Sequence, residues 1–269
     1  MSNRFVFVAP MYNASTTLKQ LLFSLHGQSY ENWMLVLIDD VSSTDEVKKE
    51  KSILESFAPF SKKHELKYNP LDVDEDTWIP FRPNVTYYGS NVRLIENKEK
   101  KWEVENVLFG IKMYANDDDI ICRIDADDWL TDLDALHILN DAYNNTEADA
   151  IWTAHRWGFT DQNISGPMPM QADPYRHPWV SSHLKTFRKR LINDVNDLNF
   201  RGEDGKYIRR AGDQAIYLPV LKNAKTFGYL PRCMYHYTIK TDDPSIFQTD
   251  DAKFQRDEAV FLRQRGYVK

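Results

Sequence analysis

Short runs of β-branched and aromatic residues alternate along the first half of the chain with stretches whose apolar residues recur every three or four positions. Phe5 to Ala9 is such a run, closed by Pro10, and predicts a buried strand. Leu18, Leu21, Leu22 and Leu25 then fall at i, i+3, i+4 and i+7, the stripe of a helix packed on a sheet, with Ser15 or Thr16 as its cap. Trp33 to Ile38 predicts a second strand, which ends in Asp39-Asp40. Strand, helix and strand within about forty residues make a βαβ unit, so these two strands should be parallel.

The alternation continues. Ile53, Leu54 and Phe57 mark one side of a charged helix, Val85 to Tyr88 a strand, and Val104, Val107, Leu108 and Ile111 another helix. Ile120 to Ile124 is a further buried strand, running straight into Asp125-Ala126-Asp127-Asp128-Trp129. A helix over 131–143 and a strand at Ala150–Thr153 follow. Between Ser61 and Asn84 three prolines, an acidic run and Trp78 predict a long irregular insertion. Residues 155–182, rich in Pro, Met, Trp and Gly, read as ordered loop. Short helices are expected near 184–192 and 212–222, the second kinked or ended by Pro219. Phe227–Leu230 and Met234–Thr238 read as short strands, and the tail from Asp250 as a helix closed by Gly266.

Composition changes this picture little. A chain of 269 residues with 42% hydrophobic and 28% charged residues is an ordinary globular protein of one large α/β domain or two small ones. A net charge of −6 argues against a protein that coats nucleic acid non-specifically. The N-terminal apolar run is too short for a secretion signal, and no stretch reaches the length of a transmembrane anchor. Cys122 and Cys233 stand far apart and read as reduced thiols, which points to the cytoplasm. The N-x-S/T triplets at Asn13, Asn84, Asn144 and Asn163 are then chance matches.

Candidate chemistry begins at the strand ends. Three carboxylates in the four residues from Asp125 to Asp128, behind a buried strand, call for a cation such as Mg²⁺ or Mn²⁺ bound together with a diphosphate. The alternative is an acidic turn capping a helix near Thr131. Asp39-Asp40 ends a neighbouring strand, so both acidic clusters can face one crevice at the carboxyl edge of the sheet. Neither GxGxxG nor GxxxxGK[ST] occurs, which weakens a dehydrogenase or P-loop reading.

The stretch VAPMYNASTTLKQLLFSLHGQSYENWMLVLIDDVSSTDE resembles the opening of the family 2 inverting glycosyltransferases, with their V-P-x-Y-N, S-L-x-x-Q-x-Y-x-N and I-D-D-x-S elements. IDADDWL is similar to their metal-binding DxD element, at the expected distance downstream. The resemblance covers roughly the first half of the chain. It implies the GT-A fold: one α/β domain over 1–269 with a Rossmann-like, mostly parallel central sheet flanked by helices, a nucleotide-sugar half at 1–130 and a smaller acceptor-binding half at 131–269.

It also implies roles. Pro10, Tyr12 and Asn13 would surround the nucleotide, Asp40 would bind a base such as the uracil of a UDP-sugar, and Asp125 would contact the ribose or a metal-bound water. Asp127 would ligate Mn²⁺ or Mg²⁺, with His236 as a further ligand or else a structural residue between tyrosines; Asp128 would lie behind them or touch the acceptor. Lys101 and Asn106 would approach the donor. The base for the acceptor hydroxyl would be Asp213, in AGDQAIYLP, in preference to Glu203-Asp204, whose Gly- and Lys-rich surroundings are turn chemistry. The alternative for Asp213 is a helix cap, and both roles could hold together.

The acceptor is the least specified partner. A saccharide or glycoconjugate hydroxyl is the family's default, with His183 and Trp152, Trp157 and Trp179 as candidate lining. Lys185, Arg188, Lys189, Arg190, Arg209 and Arg210 form either a solvated helix face or a site for an anionic acceptor, such as a lipid phosphate, a teichoic-type polymer or hydroxymethylated DNA. A catalytically silent nucleotide-sugar or glycan-binding protein on the same fold is the reading from another class. A nucleotidyltransferase would want a Gly-rich loop after the first strand, and none is present.

Overall fold

Each residue pair of the first βαβ unit sits as its pattern requires. β1 (Phe5–Met11) and β2 (Trp33–Asp39) pair in parallel, Phe5 opposite Trp33 through to Met11 opposite Asp39, and α1 (Leu18–His26) crosses between them. The computed structural model describes residues 2–60, 84–239 and 249–269; most of the irregular segment expected after Ser61 lies outside them. α2 (Thr44–Phe57) is capped by the Ser43 hydroxyl, which accepts the Glu46 N–H. β3 (Asn84–Tyr88) and β4 (Val92–Glu96) form an antiparallel hairpin, then come α3 (Trp102–Tyr114) and β5 (Ile120–Arg123).

The second half contributes β6 (Trp129–Leu130), α4 (Ala135–Thr146), β7 (Ala150–Trp157), β8 (Lys185–Arg188), α5 (Arg190–Asn193), α6 (Gly212–Asn223), β9 (Phe227–Tyr237) and α7 (Asp250–Arg265). Among the described residues all nine strands join one sheet, in the order β3-β4-β2-β1-β5-β8-β7-β9-β6. The run β4-β2-β1-β5 is parallel, as is β7 with β9; β3–β4, β5–β8, β7–β8 and β6–β9 are antiparallel. The sheet is therefore mixed, with a parallel centre.

Alternation along β1 shows why both faces are covered. Phe5, Phe7 and Ala9 enter a core under α1, α2 and α4, whereas Val6 and Val8 enter a second core under α3 and α6. α3 comes so close to the sheet that a Cβ on Gly110 would stand 2.7 Å from a Val8 methyl.

Several elements differ from the sequence reading. β4 is an unexpected strand. Its pattern is interrupted by Arg93, which is buried: the guanidinium lies over the Tyr87 ring at 4.4 Å and donates to the Ser90 and Val92 carbonyls. The basic stretch read as a helix near 184–192 is instead β8, inserted between β5 and β7, followed by only one helical turn. Pro219 lies inside α6 without ending it. The two short strands expected after Phe227 are one strand, β9, paired with β7 through a register shift at Thr153–His155. The helix expected at Thr131 begins at Ala135, with β6 in between, so the carboxylates at Asp125 to Asp128 do not cap it. No helix among the described residues is long and apolar enough to cross a membrane.

Candidate functional site

The carboxyl ends of β1, β2 and β5 lie side by side, and the segments leaving them meet in one crevice. Residues Pro10 to Ala14 at and beyond the end of β1, Thr16 and Thr17 before α1, and Asp125 to Asp127 after β5 line a cavity of about 100 Å³. Tyr12 is exposed at its mouth, with the Lys100 ammonium 3.8 Å from the centre of its ring. Asn13 has a left-handed backbone (φ 52°).

Asp40 is buried and takes part in shaping this wall. Its Oδ1 accepts the Lys101 N–H at 2.7 Å and the Asn97 amide at 3.0 Å, and its Oδ2 accepts the Trp102 N–H at 3.0 Å. Asn97 also donates to Asn106 at 2.8 Å, leaving the buried Asn106 amide nitrogen without a partner in the structure. The Lys101 ammonium is engaged by Glu99 and Glu105. Thus Asp40, Lys101 and Asn106 are brought together, but through the backbone turn before α3.

Deeper in the crevice, charge concentrates. Arg123, the last residue of β5 and two residues before Asp125, is buried and forms ion pairs with Glu103, Asp125 and Asp213. Lys185, also buried, reaches Asp213 Oδ1 at 3.0 Å and His183 Nδ1 at 3.1 Å. Burial alone would raise the Asp213 carboxyl, but the Lys185 and Arg123 charges outweigh it and hold it well below the usual carboxylate range. Burial lowers the His183 imidazole, with the Lys185 charge beside it, so the ring is neutral.

Asp125, Asp128 and His183 each offer one ligand atom, all within 4.8 Å of one another. Asp128 is almost wholly buried; it accepts the Tyr235 hydroxyl at 2.6 Å and the Thr238 N–H at 2.7 Å. Burial, with Asp125 and Asp127 adding repulsion, still drives its carboxyl well above the ordinary range. Two carboxyl groups and a neutral imidazole this close together are a set of donors that could hold a divalent cation. Asp127 lines the adjoining cavity with Asp125. His236 stands outside this group: its ring stacks on Trp129 at 3.8 Å, its Nδ1 accepts from Arg156, and it is buried. His183 is the histidine that the geometry brings to the carboxylates.

Of the two base candidates, Asp213 opens α6 inside this cluster, whereas Glu203 and Asp204 sit in an exposed turn where Asp204 accepts the Lys206 N–H and pairs with Arg209. The basic cluster does not form one surface either. Lys185 meets Asp213, Lys189 meets Asp117, Arg190 meets Asp149, Arg209 meets Asp204 and Arg210 meets Asp251, while Arg188 bonds the Ala148 carbonyl and Asn3. Trp152 is core, donating to the Gly166 carbonyl, and Trp179 packs on the second core; Trp157 lies half-buried beside Tyr237.

The sequence reading missed Arg123 and Glu103, and named Lys185 only as part of a basic cluster, not as a partner of Asp213. The i, i+2 spacing of Arg123 and Asp125 at a strand end was a legible signal; the other two depend on packing between distant segments.

The chain matches no family model and no curated protein. Among solved structures it is similar to S. aureus TarS 1–349 in complex with UDP-GlcNAc, at 17% identity and a TM-score of 0.62 over 88% of this chain and 59% of that one. It is likewise similar to S. aureus TarS at 16% identity and a TM-score of 0.61, over 93% of this chain and 41% of that one. The chain therefore spans about three fifths of the first of these structures and two fifths of the second. At these identities the likeness shows the shared α/β fold.

Proposed function

We propose that the protein is a glycosyltransferase that takes a sugar from a nucleoside-diphosphate sugar, read here as a UDP-sugar, and transfers it with inversion to an acceptor hydroxyl. The observation that carries this reading is the convergence, at the carboxyl edge of parallel strands, of the Pro10–Asn13 wall, the Asp125–Asp128 carboxylates, His183 and Asp213. The resemblance of the opening and DxD-like motifs and the fold shared with a UDP-GlcNAc complex of TarS support the donor class. In this reading residues 1–130 hold the donor and 131–269 the acceptor.

Pro10, Tyr12 and Asn13 flank the nucleotide, and Asp40 shapes the wall against its base by fixing the Lys101–Trp102 turn. Asp125, Asp128 and His183, with Asp127 beside them, would hold Mn²⁺ or Mg²⁺, which when bound neutralises charge developing on the departing diphosphate. Asp213, ionised at neutral pH, accepts the acceptor's proton as the hydroxyl attacks the anomeric carbon, in a single displacement. Lys185 and Arg123 fix its carboxylate in place. Because the basic side chains are already paired, a neutral saccharide hydroxyl fits the acceptor half better than a polyanion such as DNA.

Thermal shift with UDP-, GDP- and dTDP-sugars, with and without Mn²⁺, tests the core of this. The expected result is stabilisation by a UDP-sugar that needs the metal and disappears in Asp128→Asn. No stabilisation by any nucleotide sugar would refute the donor assignment. Asp213 is gripped by three cationic or imidazole groups, which also favours a binding protein without turnover. Mn²⁺-dependent release of UDP from UDP-GlcNAc, lost in Asp213→Asn, would exclude that second reading.

A further inference from the structure

The crevice wall after β1 is held from behind by an unusual set of bonds. Three consecutive backbone amides are taken by side chains from the β2–α2 connection and from α2 itself. The Asn13 N–H donates to Ser42 Oγ at 2.8 Å, the Ala14 N–H to Glu50 Oε1 at 2.8 Å, and the Ser15 N–H to Glu46 Oε2 at 3.4 Å. In return, Asn13 Oδ1 accepts the Ser43 N–H at 3.1 Å. Successive amides after a left-handed residue form the kind of concavity that binds anions, and here α2 supplies the anions internally.

Glu50 differs from its neighbours in this set because it is fully buried, and its Oε2 has no hydrogen-bond partner in the structure. The charged groups around it are Asp39 of β2, Glu46 of α2 and Glu96 of β4, all acidic, with Lys49 and Lys51 already paired to Glu46 and Glu96. Burial pushes its carboxyl up to about 7, while the Ala14 N–H pulls the other way. A carboxyl placed at such cost gains only one bond, and that bond fixes Ala14, which lines the cavity next to Asn13.

We infer that Glu50 is a positioning residue for the donor: it fixes the Pro10–Ala14 wall from behind so that Tyr12 and Asn13 meet the nucleotide without the wall having to order on binding. This role rests on the donor reading above, and Glu50 itself touches no substrate.

Two measurements separate the role from plain stability: hydrogen exchange of the 10–17 segment without ligand, and calorimetric binding of UDP with Mn²⁺. In Glu50→Ala the segment should exchange about tenfold faster and UDP bind about tenfold more weakly, while exchange in β5 and α6 stays at the wild-type rate. Glu50→Gln keeps an oxygen for the Ala14 N–H and should restore both to within about threefold. If Glu50→Ala does not fold, Glu50→Asp, which withdraws the carboxylate by one methylene, carries the same test. Unchanged exchange in a folded variant would overturn the anchoring. A loosened segment with unchanged UDP affinity would reduce Glu50 to a structural role and overturn the proposal. Absence of UDP binding by the wild-type protein would instead overturn the donor reading, and this role with it, whatever the exchange data show.

Discussion

Gly212→Ala sets two physical effects against each other. Gly212 is the first residue of α6, immediately before Asp213, and alanine is the better helix former by at most about 1 kcal/mol. Local preference therefore expects a more stable protein. A Cβ at this position would overlap the carboxyl carbon and both oxygens of Glu103. Glu103 cannot swing aside freely, because its Oε1 is paired with the buried Arg123. Removing one partner from a buried ion pair costs about 3–5 kcal/mol, and the lower end applies here because Arg123 keeps Asp125 and Asp213. Subtracting the helix gain leaves a net loss of roughly 2 kcal/mol. Urea unfolding should show a lower midpoint with an unchanged slope. In a Glu103→Ala background the added methyl meets open space, and the sign of its effect should reverse. Equal or higher stability of Gly212→Ala in the wild-type background would refute the idea that Glu103 is held where it stands.

Two further outcomes follow from buried and strained positions around the crevice. Val41 holds a left-handed backbone (φ 68°) in the turn after Asp39-Asp40, which costs a β-branched residue about 1–2 kcal/mol. Glycine removes that strain but adds unfolded-state entropy of about 0.5–1 kcal/mol, so Val41→Gly should be neutral to about 1 kcal/mol more stable by urea unfolding, and a clear loss would show that its side chain is needed. Glu50 has a folded value of about 7 against an ordinary 4.5, so the native state holds its proton longer than the unfolded chain. The stability it contributes is present below pH 4.5 and lost as pH rises toward 7, by up to about 3 kcal/mol. His155 and His183, lowered by burial, act in the opposite direction below their ordinary value, so the effect is read as a difference: Glu50→Gln should gain on the wild type between pH 4.5 and 7. A stability difference flat in pH would show that Glu50 ionises normally.

The crevice wall at the ends of β1 and β5 was legible because its information is local. β1, α1 and β2 announce themselves by periodicity, and a βαβ unit can close in only one hand, so strand ends and the residues after them are placed by the pattern alone. Pro10 to Asn13 and Asp125 to Asp127 consequently share a cavity, as their positions at neighbouring strand ends suggested. Asp40 shows the limit of that logic. Its place at the end of β2 could be read, yet its carboxylate is turned to the backbone of Lys101 and Trp102, a contact that depends on how the chain returns through β4.

The other side was legible only by residue type, because its chemistry is made by a strand that the pattern disguises. Lys-Thr-Phe-Arg in a basic stretch has the composition of a solvated helix; as β8 it lies antiparallel between β5 and β7, which sends Lys185 inward to Asp213. The same insertion decides between the histidines. His236 and His183 both precede or follow aromatic or apolar residues, and nothing in their neighbours separates them. What separates them is that His183 enters from the segment leading into β8, facing Asp125 and Asp128, while β9 carries His236 onto Trp129. A single change of secondary structure near residue 185 thus moves a lysine from surface to core and brings His183, rather than His236, beside the carboxylates. The buried Arg123–Asp213–Lys185 network lies where β5, β8 and α6 meet: both cations are desolvated, Lys185 is answered by Asp213, and Arg123 by Asp213 together with Glu103 and Asp125.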